Sequence, residues 1–194
     1  MNSEVKKAVE VLKKGGIIIF PTDTAFGIGC RIDNIEAVER LFAIRKRPSS
    51  QAMPVLVSSF EMARAYAKEI TPVVLERLIY PYWPGALTVV VQSNTYNVPE
   101  SVRGGGETIG LRMPNHKSIL AIIKDLGVPI LGPSANIHGQ ATPFEVKDLN
   151  QKLIKLVDFV LEGECDLKKS STVIDTTKVP WKILRAGALD ITID

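Results

Sequence analysis

Residues 15–30, Gly-Gly-Ile-Ile-Ile-Phe-Pro-Thr-Asp-Thr-Ala-Phe-Gly-Ile-Gly-Cys, constrain the fold more than any other stretch. The run Ile17-Ile18-Ile19-Phe20 has no polar alternation. That is the pattern of a strand buried on both faces, so layers are needed above and below it. Pro21 has no N–H to donate and should end regular pairing. Thr22, Asp23 and Thr24 then stand at the strand's mouth, the end where open α/β sheets hold ligands. An ordinary turn would use the same Pro-Thr-Asp residues. Gly27 and Gly29 allow close backbone approach or unusual φ.

The rest of the chain alternates strand and helix patterns. Residues 3–14 read as a helix capped by Ser3, with Val5, Ala8, Val11 and Leu12 on one face and Gly15 as its stop. Asn34 caps a second helix that buries Val38, Leu41 and Phe42 and ends near Arg45-Lys46-Arg47-Pro48. Met53–Val57 is a short strand, and Ser58-Ser59-Phe60-Glu61 a capping box for a helix to about Ala67. Thr71-Pro72 starts another helix, and Tyr80–Gly85 makes an aromatic turn. Strands follow at 86–92 and 107–114, the second with Thr108, Gly110 and Arg112 on one face. A helix over 115–126 closes at Gly127, and 128–131 is a strand. Thr142-Pro143-Phe144-Glu145 reads as one more helix start. Strands at 157–161, 172–175 and 182–184 complete the chain. The pattern implies an α/β fold, an open twisted mixed sheet flanked by helices, as one domain over 1–194.

Composition narrows the function. A net charge of +3 is too small to demand a nucleic-acid partner. Cys30 and Cys165 form no metal or disulfide pattern and fit a reduced, cytoplasmic compartment. No apolar run approaches the ~20 residues of a membrane span, and the charged N-terminus is not a signal peptide. His116 and His138 are isolated, so no protein-held metal site is expected. P-loop, dinucleotide-fingerprint and nucleophile-elbow patterns do not occur.

What remains is a set of polar groups at strand ends: Thr22-Asp23-Thr24, Thr108 and Arg112, Ser134 and Asn136, Ser170-Ser171-Thr172, and Arg185. If those strands are neighbours, hydroxyls and guanidiniums converge on one central basic cleft. Such a cleft is rich in donors and poor in general bases, which favours phosphate or carboxylate binding over acid–base hydrolysis. Each group also has a local explanation. Arg45, Lys46 and Arg47 complement a helix C-terminus, Ser134 and Asn136 can organise a loop, and Thr142 can cap a helix.

Seven motifs in order then resemble one family. Pro21-Thr22-Asp23-Thr24-Ala25-Phe26-Gly27-Ile28-Gly29 is similar to Pro-Thr-[Glu/Asp]-Thr-x-[Tyr/Phe]-Gly-[Leu/Ile]-Gly. Arg45-Lys46-Arg47-Pro48 is similar to Lys-x-Arg-Pro, and Trp83-Pro84-Gly85-Ala86-Leu87-Thr88 to Trp-Pro-Gly-Pro-Leu-Thr. Thr108–Pro114 resembles Thr-Val-Ala-Val-Arg-x-Pro. Pro133-Ser134-Ala135-Asn136, Ser171-Thr172-Val173-Ile174-Asp175 and Leu184-Arg185-Ala186-Gly187 match Pro-Ser-Ala-Asn, Ser-Thr-Val-[Val/Ile]-Asp and Leu-Arg-x-Gly. The chain thus resembles the YrdC-like family of L-threonylcarbamoyl-AMP synthases, in its short, single-domain bacterial form.

The resemblance implies that L-threonine, bicarbonate and ATP give threonylcarbamoyl-adenylate and pyrophosphate. The product would supply a downstream tRNA-modifying transferase complex acting on adenosine 37. Thr24, Ser58, Arg112, Gly132 and Ser171 would hold threonine. Arg47, Met53, Thr108, Ser134, Asn136, Thr142 and Arg185 would hold ATP, with Arg45 and Arg47 at the phosphates and Mg2+ carried in by the nucleotide. Three positions depart from the family pattern: Arg45 for lysine, Met53 for Asn or Lys, and Ser170 for glutamate. The alternative from the same fold is a double-stranded RNA or tRNA-binding module without synthase activity.

Overall fold

The computed structural model describes residues 2–193. Its strands are β1 (Ile18–Phe20), β2 (Gly27–Gly29), β3 (Val55–Leu56), β4 (Leu87–Gln92), β5 (Thr108–Arg112), β6 (Ile130–Leu131), β7 (Phe159–Val160), β8 (Thr172–Asp175) and β9 (Lys182–Arg185). The helices are α1 (Ser3–Lys13), α2 (Ile35–Arg45), α3 (Phe60–Tyr66), α4 (Pro72–Val74), α5 (Tyr80–Tyr82), α6 (Glu100–Arg103), α7 (Lys117–Leu126) and α8 (Gln151–Ile154). A π-helical turn at Leu75–Ile79 joins α4 to α5, and a 3-10 turn at Val146–Asp148 precedes α8.

The strands pair in two sheets, ordered β2-β1-β7 and β6-β3-β5-β4-β8-β9. Pairing is parallel for β1–β7, β3–β5 and β4–β8, and antiparallel elsewhere. The open mixed α/β architecture read from the sequence is the one adopted. It is divided in two, and residues 27–29, to which the sequence reading assigned no element, form β2 against β1. The sheets meet where the Leu131 N–H donates to the Cys30 oxygen and the Ile28 N–H to the Pro133 oxygen, both at 2.9 Å. Glycine is required at this junction, because a Cβ on Gly29 would lie 1.8 Å from the Leu131 oxygen.

β1 is buried on both faces, as its sequence demands. Ile17 and Ile19 pack with Val38 and Leu41 of α2, while Ile18 and Phe20 pack with Val5, Ala8 and Leu12 of α1 and Ile119, Ile122 and Ile123 of α7. Each such side chain contributes roughly 1.5–3 kcal/mol by leaving water. That anchoring fixes the Thr22–Thr24 turn.

Local details differ from the sequence reading where a tertiary partner competes. Asn2, not Ser3, caps α1 through Glu4 N–H at 3.1 Å, and Ser59, not Ser58, caps α3 through Met62 N–H at 3.1 Å. Thr142-Pro143-Phe144-Glu145 does not begin a helix. The Pro143 oxygen, which a helix would use internally, accepts the Phe26 N–H at 3.0 Å, and Glu145 caps only the 3-10 turn. Among the described residues no helix is long and apolar enough to cross a membrane.

Candidate active site

β5 ends at Arg112, and β1 delivers Asp23 and Thr24 opposite it. Arg112 is 6% exposed. Its Nη2 donates to Asp23 Oδ1 at 2.5 Å, Nη1 to Thr24 Oγ1 at 2.7 Å and Nε to the Gly85 oxygen at 3.0 Å. Burial pulls the guanidinium below its ordinary pKa, and the Asp23 charge opposes that. Thr22 has spent its proton on the Ala25 oxygen at 2.7 Å and accepts the N–H groups of Thr24 and Ala25. Thr24 is therefore the donor in its 3.0 Å contact with Thr22 Oγ1, and its own oxygen accepts from Arg112.

β8 and β9 build the next wall. Ser171 precedes β8, and its hydroxyl lies 2.9 Å from Thr88 Oγ1 on β4. Arg185, the last residue of β9, donates from Nη2 to Ser171 Oγ and from Nε to Ser171 O, each at 2.9 Å. One planar edge of Arg185 is thus held by one residue.

The third wall is the C-terminus of α2. Asn34 Oδ1 caps the helix at the Ala37 N–H, and Lys46 turns the chain out at φ 50°. Arg45, in the last turn, is 2% exposed and folds inward onto Asn136. Burial and the neighbouring Arg47 charge push Arg45 down to about 10, so it stays protonated at neutral pH. One of its donors, Nη1, is buried with no partner. Arg47 rests on the Gln51 oxygen at 3.2 Å and the Ala52 oxygen at 2.8 Å.

These walls surround one open cleft. Of the residues nominated from sequence, Thr24, Arg45, Arg47, Arg112, Gly132, Ser134, Thr142, Ser171 and Arg185 line it. Asn136 stands just behind, holding Arg45 and Ser134. Three further nominated residues also stand outside the lining. Ser58 Oγ lies 3.9 Å from Met62 Sδ, Met53 is buried in the core, and Thr108 opens β5 opposite Gln92, at the end away from Arg112. The sequence reading assigned no role to Asp23 or Thr88. A carboxylate beside Thr24, and a threonine closing Trp-Pro-Gly-Ala-Leu-Thr, were the available signals.

The chain is thus an α/β protein whose sheet rim gathers four arginines and a row of hydroxyls into an anion-receiving cleft. It belongs to the Sua5, YciO and YrdC family, described as telomere recombination, whose family model matches residues 10–187. It is 33% identical over 189 residues to a threonylcarbamoyl-AMP synthase of Pyrococcus abyssi, covering 97% of this chain and 55% of that one. The crystal structure of P. abyssi Sua5 complexed with L-threonine matches with a TM-score of 0.89 at 34% identity, over 94% of this chain and 54% of that one. A threonylcarbamoyl-AMP synthase of Vibrio vulnificus is 30% identical, over 96% of this chain and its own full length (100%). The uncharacterized YciO of Escherichia coli K12 is 31% identical, over 96% of this chain and 90% of its own. The chain therefore spans about half the length of its Pyrococcus relative.

Proposed function

We propose that this protein is a nucleotidyltransferase that makes L-threonylcarbamoyl-adenylate from L-threonine, bicarbonate and ATP in the cytoplasm. The observation that carries the reading is the division of one cleft. Arg45, Arg47 and Arg185 lie on its walls without a carboxylate in any ion pair among the described residues, while Arg112 is paired with Asp23 and donates to Thr24. The first group suits a triphosphate and the second an amino-acid carboxylate. A solved relative bound to L-threonine supports an amino-acid substrate.

The chemistry asks mainly for placement and charge neutralisation. The threonine amine and bicarbonate join as a carbamate with loss of water. A carbamate oxygen then attacks the α-phosphorus, and the bond to the β-phosphate oxygen breaks to release pyrophosphate. Attacker and leaving group are both anionic, so fixed guanidiniums lower the barrier by holding them together. Arg112 and Thr24 orient the amino acid. Arg45, Arg47 and Arg185 take the phosphates, with Thr142 as a neutral donor and Ser134, whose hydroxyl donates to Asn136, beside them. Magnesium enters as part of the nucleotide substrate. The adenylate would feed a transferase complex that modifies adenosine 37 of tRNA.

Pyrophosphate release tests the reading. It is expected to require threonine and bicarbonate together. Release that is indifferent to threonine would refute it, and steeply salt-dependent binding of double-stranded RNA by such an inactive protein would favour an RNA-binding module instead.

A further inference from the structure

The four guanidiniums of the cleft differ in what neutralises them. Arg45, Arg47 and Arg185 are held by uncharged oxygens of Asn136, of Gln51 and Ala52, and of Ser171. Arg112 is held by a carboxylate, Asp23 Oδ1 at 2.5 Å, with side chains only 8% and 5% exposed. Water screens little at that depth, so the Asp23 charge acts at nearly full strength on the corner.

We infer that Asp23 is a specificity-determining residue that makes the Arg112 corner accept a zwitterion and reject a phosphate, an inference that rests on the function proposed above. A bare buried guanidinium would attract any anion. Phosphate and pyrophosphate, which carry more charge than a carboxylate, would gain most. Paired with Asp23, Arg112 offers hydrogen bonds with little net charge. Of its five N–H groups, those used on Asp23, Thr24 and Gly85 leave a free donor on each of Nη1 and Nη2. Those two donors fit one carboxylate. An amino acid with no net charge loses little by meeting a neutral pair, whereas a polyanion loses its main attraction. Asp23 Oδ2 strengthens the discrimination. It is buried with no hydrogen-bond partner, so no second donor offsets its negative charge.

The test uses the whole chain with its nucleotide side filled by a non-hydrolysable ATP analogue, titrated with L-threonine in the presence and absence of inorganic phosphate. In the wild-type protein threonine binds and phosphate does not compete. In Asp23→Asn, phosphate is expected to become a competitor of threonine, with ATP-analogue affinity unchanged and threonine still bound in the absence of phosphate. An Asn variant that holds the analogue normally and still ignores phosphate overturns the inference alone. A wild-type protein that binds the analogue but never threonine overturns the proposed function, and the inference with it. Should the Asn variant fail to hold the analogue, Asp23→Glu keeps the charge while displacing Arg112. It is expected to bind threonine more weakly and still exclude phosphate, and phosphate competition in that variant would overturn the inference.

Discussion

Arg45 donates twice to Asn136, from Nε to the backbone oxygen at 3.0 Å and from Nη2 to Oδ1 at 3.3 Å, across 91 residues of sequence. The same Oδ1 accepts the Ser134 hydroxyl at 2.5 Å, and the amide nitrogen donates to the Gln140 oxygen at 2.6 Å. One amide therefore fixes a cation and a serine at the cleft and ties down the loop beyond them. In Asn136→Ala the catalytic rate is expected to fall by about 10²-fold, the order seen when a preorganised donor is lost. Steady-state kinetics should place the binding defect in the KM for ATP, leaving the KM for threonine near wild type.

Arg45→Lys separates charge from geometry. Lysine keeps the positive charge but, as a point donor, cannot span both oxygens of Asn136. ATP affinity, measured by calorimetry, is expected to drop about tenfold, equivalent to about 1.4 kcal/mol, with the circular dichroism spectrum unchanged.

Arg112→Ala is expected to abolish threonine-dependent pyrophosphate release. It should also weaken the fold, because Asp23 would keep a buried carboxylate with no cation beside it. Removing one partner of a buried pair costs about 3–5 kcal/mol, readable as a lower midpoint in urea. Arg112→Ala combined with Asp23→Ala should recover part of that stability and none of the activity.

Much of this site was legible in the sequence, for a physical reason. β1 needed layers on both faces, so the polar turn after Phe20 had to lie at a sheet rim. Arg112 stood on a predicted strand, though its neighbours Leu111 and Met113 left open whether it faced solvent. What the sequence could not show was pairing across the fold. The Asp23–Arg112 contact depends on β1 and β5 facing each other from different sheets. Thr88 meets Ser171 only because β4 runs parallel to β8. The helix expected at Thr142 failed for the same reason: its cap and proline were locally correct, but the Pro143 oxygen had a partner in Phe26. Ser58, Met53 and Thr108 were nominated by motif spacing, which carries no information on which side of a strand or helix faces the cleft.

A pH dependence follows from Asp158, which sits between α2 and the β1 sheet. Its Oδ2 accepts the Ile17 N–H and Arg40 Nη1, each at 2.7 Å, and Oδ1 accepts Arg40 Nη2 at 3.1 Å. The hydrogen bonds from Arg40 hold its carboxyl below the ordinary value of 3.8. A carboxyl lowered in the folded state stabilises fully above its unfolded pKa, and that contribution fades as pH falls through the folded one. Both side chains are more than a third exposed, so solvent screening limits the contribution to about 1 kcal/mol. Urea midpoints should show Asp158→Asn less stable than wild type at pH 7, with the gap narrowing towards pH 2.

The most direct measurement supplies the protein with ATP, L-threonine and 13C-labelled bicarbonate and weighs the nucleotide products. Two substrates held in one cleft should yield an adenylate containing threonine and one labelled carbon, heavier by about one mass unit than the product from ordinary bicarbonate, alongside pyrophosphate. ATP left intact, or cleaved to AMP with no label in any adenylate, would contradict the assignment of the Arg112 corner and the arginine walls to a single reaction.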